Sequence, residues 1–98
     1  MAGRTVSDDD VEIRRRRLLF RSQHRGTREM DLLMGRFAEA ALSQLSDREL
    51  LDFELLMEMP DSDVLNWLTG MDPVPAEFET ALFKKLQAFH SHPRPLYR

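Results

Sequence analysis

The sequence predicts an all-α fold, a compact five-helix bundle in a single domain, and three observations carry that prediction. Met30, Leu33, Met34, Phe37 and Ala41 fall at i, i+3, i+4, i+7 and i+11, one apolar helical stripe. Ser46-Asp47-Arg48-Glu49 forms a capping box directly ahead of an apolar run, in which serine and glutamate side chains satisfy free amides of a helix start. Glycine and proline punctuate the chain between helical segments, and no segment reads as a strand.

Taken in order, residues 1–6 read as a flexible tail, 7–90 as the helical domain and 91–98 as a second tail. Ser7 is a candidate N-cap, with Asp8, Asp9 and Asp10 in a first turn where helix amides favour anions. The first helix runs to about Ser22–His24. Ile13, Arg17 and Phe20 share a face, which is expected to lie on the core with the Arg17 stem along it. Gly26 then serves either as the left-handed residue that closes this helix or as the N-cap of the next, with Glu29 at N3. The second helix carries the Met30 stripe. The third starts at the capping box, and Leu50, Leu51, Phe53, Leu55, Leu56 and Met57 nearly encircle it, so it is expected at the centre. Pro60 ends it. Asp61 or Ser62 caps a short fourth helix from Asp63 to Thr69, which Gly70 closes. Asp72-Pro73-Val74-Pro75 is a stiff connector, with Pro75 suited to the first turn of a fifth helix edged by Phe78, Leu82, Leu86 and Phe89. From His90 onward the chain reads as non-helical.

Composition narrows the function. Ninety-eight residues bury only about 60–65% of their unfolded surface, too little for a core that encloses a cofactor. The net charge of −3 argues against general polyanion binding. With no cysteine, thiolate metal sites, disulfides and cysteine nucleophiles are excluded. No apolar run approaches the ~18 residues of a membrane span, and the aspartate-rich start resembles neither a secretory nor a transit signal. The expected location is the cytoplasm.

Catalytic constellations are missing. His90 and His92 stand two apart without a third ligand, which does not make a zinc site. No Walker A, dinucleotide-binding or G-x-S-x-G pattern occurs. The run Arg14 to Arg17 is the strongest nucleic-acid lead, yet four consecutive helical residues point about 100° apart and form no stripe. A small regulatory protein binding nucleic acid through Arg14–Arg17 and Arg21 is therefore the alternative reading.

Arg25-Gly26-Thr27-Arg28-Glu29-Met30-Asp31 is the richest stretch, a glycine set between two arginines and two carboxylates. It resembles the R-G-x-x-E-x-D signature of the SdhE family, the small FAD assembly factors of succinate dehydrogenase and fumarate reductase. Asp63-Val64-Leu65-Asn66-Trp67-Leu68 is similar to the family's D-x-x-N-W-L stretch, and the likeness runs from about Asp9 to about Phe89. Thr27 and Met30 stand where methionine and leucine are frequent in that family.

The resemblance implies a compact five-helix bundle that is not an enzyme. It implies binding to the flavoprotein subunit of succinate dehydrogenase or fumarate reductase, which attaches FAD covalently through its own histidine. No cofactor is expected to be held stably by this chain. Partner contacts are expected at Arg25, Gly26, Arg28, Glu29 and Asp31, with secondary ones at Arg17, Arg21 and Trp67. Gly26 would allow close backbone approach, and Arg25 and Arg28 would meet carboxylates of the partner. Glu29 would cap the second helix or accept from the partner, and Asp31 would orient Arg28.

Overall fold

A computed structural model describes residues 8–90, so the expected cap at Ser7 and the two tails lie outside the described residues. Five α-helices follow one another: α1 (Asp8–Gln23), α2 (Arg28–Ala41), α3 (Asp47–Met57), α4 (Asp61–Thr69) and α5 (Ala81–His90). Short 3₁₀ turns at Leu42–Gln44 and Ala76–Phe78 complete the described secondary structure, which contains no strand.

The local start and stop signals act largely as the sequence predicts. The Ser46 hydroxyl accepts from the Glu49 amide and the Glu49 carboxylate from the Ser46 amide, closing the capping box of α3. Gly70 ends α4 at φ 84°, a left-handed conformation that L side chains rarely adopt. The α2 stripe faces inward, with Met30, Met34 and Phe37 all buried. Phe37 meets Phe53 of α3 and Phe89 of α5 edge to face, with ring centroids 5.6 and 5.7 Å apart. One contiguous core results, to which α1 gives Leu18, α3 Leu50, Phe53 and Leu56, α4 Val64 and Trp67, and α5 Leu82, Phe83 and Leu86.

Four expectations are corrected. On α1 the buried face carries Leu18 and Ser22, whereas Ile13 and Phe20 are 45% and 61% exposed and Arg17 is exposed beside them. The reason lies in α2. Gly35 is buried against the α1 end, and a Cβ there would meet Gln23 Cγ at 3.1 Å, so α2 approaches over the small residues rather than over Phe20. Helix α3 is not apolar all round either: Leu51 and Leu55 are exposed, and Asp52 is buried and accepts from Arg48 at 3.2 Å. Helix α4 starts at Asp61 after Pro60 without a side-chain cap, because the Asp61 carboxylate is engaged elsewhere. Finally, Pro75 opens a 3₁₀ turn and not α5. That turn lays Phe78 on Trp67 at 5.2 Å, and Thr80 Oγ1 then accepts from the Phe83 amide to start α5, which extends through His90.

Two measurements check this packing. Gly35→Val should cost about 2 kcal/mol in urea unfolding, because the added methyls have no space against the Gln23 backbone. His90 ends α5 half-buried, with neither ring nitrogen in good hydrogen-bond geometry. Burial lowers its pKa below the ordinary imidazole value, opposed in part by the backbone of Leu33. The unfolded chain therefore takes up a proton at higher pH than the folded one, and stability falls as pH drops through about 6.5 toward the folded value. Thermal midpoints should decline from about pH 7.5 to 5.5, and His90→Phe should flatten that decline.

Candidate functional site

The segment between α1 and α2 is short because helix geometry stops at Gln23 and restarts at Arg28. The N-cap of α2 is Thr27, whose hydroxyl accepts from the Met30 amide. Gly26 is consequently neither the closing residue of α1 nor a cap, and its φ lies outside the left-handed region. What it supplies is space: its amide donates to Asp61 Oδ2 at 3.0 Å, and a Cβ would sit 3.3 Å from that same oxygen. Around it opens a cleft of about 290 Å³ lined by Phe20, Arg21, His24, Arg25, Gly26 and Asp61. The His24 ring lies flat on Phe20 at 4.0 Å and its Nδ1 is 2.7 Å from the Phe20 carbonyl oxygen, which gives the cleft an aromatic wall.

Arg25 does not point outward. Its side chain is only 11% exposed and forms an ion pair with Asp61 through Nε and Nη2. Nη1 and Nη2 donate to the carbonyl oxygens of Met57 and Met59, each at 2.8 Å. These are carbonyls at the end of α3, which lack intrahelical donors and carry the negative end of the helix dipole. Asp61 occupies the first turn of α4, where amides favour an anion. A single guanidinium thus closes the corner between α3 and α4 and ties the Gly26 segment to it. Asp31 is likewise turned inward: its carboxylate accepts from the Arg25 backbone amide instead of orienting Arg28.

Of the five expected contact residues, the structure leaves Arg28 and Glu29 exposed beside Gly26, while Arg25 and Asp31 hold the segment in shape. Glu29 does not close a capping box, since Thr27 alone caps the helix. Trp67 is 8% exposed and stacked on Phe78, so it belongs to the core and offers little to a partner. Asn66, next to it, donates to Asp72 Oδ2 at 3.1 Å and accepts from the Asp72 amide, sealing the end of α4. Arg21 is paired with Glu58 at 2.8 Å on an exposed rim, and Arg17 has no ion-pair partner among the described residues.

The basic run is partly consumed within the fold. Arg14 is held by Glu54 at 2.9 Å, which raises its pKa mainly through that hydrogen bond, and Arg15 donates to the Leu42 carbonyl and faces Glu12. Only Arg16 and Arg17 of the four lack such partners among the described residues, too few for the nucleic-acid reading. The pairing of Asp61 with Arg25 is not legible in the sequence, because the two lie 36 residues apart. The one local signal was an acidic residue directly after a helix-ending proline.

Removing the corner guanidinium has a measurable consequence. Arg25→Ala should cost about 3 kcal/mol in chemical unfolding, because it strands Asp61 and two helix-end carbonyls. Arg25→Lys should lose about half of that, since an ammonium cannot reach all three acceptors in a planar fork.

The family described as flavinator of succinate dehydrogenase matches residues 16–90. The chain is 43% identical over 81 residues to the FAD assembly factor SdhE of Acetobacter pasteurianus, covering 83% of this chain and 74% of that protein. It is 41% identical over 78 residues to the mitochondrial succinate dehydrogenase assembly factor 2 of Dictyostelium discoideum, covering 80% of this chain. A Debaryomyces hansenii protein of the same name is 35% identical over 81 residues. The chain spans 55% and 57% of the length of these two mitochondrial relatives. With its arginine-anchored Gly26 segment inside the matched region, the chain belongs to the family of succinate dehydrogenase flavinators.

Proposed function

We propose that this chain is a non-catalytic assembly factor that acts in the cytoplasm. It binds the flavoprotein subunit of succinate dehydrogenase, or of fumarate reductase, and promotes covalent attachment of FAD there. The bond between the flavin and a histidine is the client's chemistry, and this chain holds no flavin stably. Its contribution is geometric. Holding two reacting groups in an attack geometry lowers a barrier by several kcal/mol without any acid, base or nucleophile from the helper.

The observation that supports this reading best is the backbone presented at Gly26. Its Cα faces an open cleft, and Arg28 and Glu29 project from the adjoining turn of α2. The Arg25–Asp61 pair and the Asp31 carboxylate hold that backbone in place before any partner arrives. A preorganised segment binds without a further ordering cost, and exposed Arg28 can meet a carboxylate through a planar, two-point contact.

Gly26→Arg separates docking from folding. The backbone at 26 is not left-handed, so an arginine brings no backbone strain; its Cβ displaces the Asp61 carboxylate by a few tenths of an ångström at most, and its bulk fills the cleft. Helical circular dichroism should stay unchanged, while in-gel flavin fluorescence of the denatured flavoprotein subunit should fall about tenfold or more in cells carrying the variant. An unfolded variant would show that Gly26 serves only the turn.

A further inference from the structure

The outward faces of α1 and α3 carry a feature that the Gly26 cleft does not use. On α1, Ile13, Arg17 and Phe20 point away from the core, and on α3 Leu51 and Leu55 do the same. Two ion pairs stitch the helices together along this side, Arg14 to Glu54 at 2.9 Å and Arg21 to Glu58 at 2.8 Å. Between them lies an open groove of about 420 Å³, lined by Arg16, Arg17, Leu18, Phe20, Arg21 and Glu54. Phe20, 61% exposed, lines this groove, and three further large apolar side chains on the same two helices, Ile13, Leu51 and Leu55, are 43% to 51% exposed.

Charge identifies the occupant. Glu54 and Glu58 on the α3 side are already matched by Arg14 and Arg21, whereas Arg16 and Arg17 have no ion-pair partner among the described residues. The face therefore offers apolar anchors with surplus positive charge. A second copy fits poorly, since a two-fold contact would bring Arg16 and Arg17 of one copy toward the same arginines of the other. Phe20 and Arg21 also line the Gly26 cleft, so the groove continues directly from it.

We infer that the α1–α3 groove is a second part of the docking surface and takes an acidic amphipathic helix of the flavoprotein partner. Leucine- or phenylalanine-type anchors at i, i+4 and i+7 of that helix lie between Phe20 and Leu55, and its flanking carboxylates meet Arg16 and Arg17. The inference rests on the docking reading above.

The test measures affinity of the full chain for the purified flavoprotein subunit of succinate dehydrogenase by titration calorimetry, at two salt concentrations. Leu55→Lys and Arg17→Glu alter exposed side chains away from Gly26, and their thermal midpoints report folding. Each should weaken binding about tenfold at unchanged midpoint, and Arg17→Glu should also flatten the salt dependence. If both variants bind as tightly as the unaltered chain while Gly26→Arg does not, the groove inference falls and the docking reading stands. If the unaltered chain fails to bind the subunit, both fall. Self-association of the unaltered chain that Leu55→Lys abolishes, seen by sedimentation, assigns the groove to a second copy and overturns the inference.

Discussion

The contact on which the structure turns is the guanidinium of Arg25 at the junction of three segments. It neutralises Asp61 at the start of α4 and satisfies the carbonyls of Met57 and Met59 where α3 ends. Each of these groups is costly to bury alone: a helix end without donors, an anion, and a cation on a mostly covered side chain. Together they resolve one another in a single planar fork. The chain between α1 and α2 is drawn onto that corner, and the exposed backbone at Gly26 takes its shape as a by-product of the same contact.

The core is a single cluster drawn from all five described helices, with α2 and α3 supplying half of its buried side chains. Close approach of α1 and α2 over Ser22 and Gly35 sets the first helix in a fixed rotation. That rotation sends Phe20 and Ile13 outward, and Leu51 and Leu55 of α3 are likewise exposed. The apolar surface on this side is thus the complement of the packing on the other. A held backbone at Gly26 and exposed apolar side chains on α1 and α3 are thus two results of one packing arrangement.

Much of the site was legible as a place and less of it as a mechanism. The stretch from Arg25 to Asp31 stood out through its charges and glycine, and the family relationship covers it. The roles inside it were redistributed by the fold. Arg25 and Asp31, which the pattern suggests as outward contacts, are turned inward, and Thr27 takes the capping task that the pattern assigns to Gly26 and Glu29. Trp67, which stands out in sequence as a lone tryptophan, is a core residue beneath Phe78.

The sequence by itself determined the number and type of helices, the capping box at Ser46, the stop at Gly70 and the inward stripe of α2. All of these depend on residues a few positions apart, whose side-chain directions follow from the helical period. The tertiary structure alone decided which face of α1 is buried, that one side of α3 stays open, and where Arg25 points. The charged first helix has no dominant apolar stripe, so its rotation waits on a neighbour small enough to approach, which is Gly35. An arginine whose partners lie 32 to 36 residues away finds them only after α3 and α4 have met at their corner.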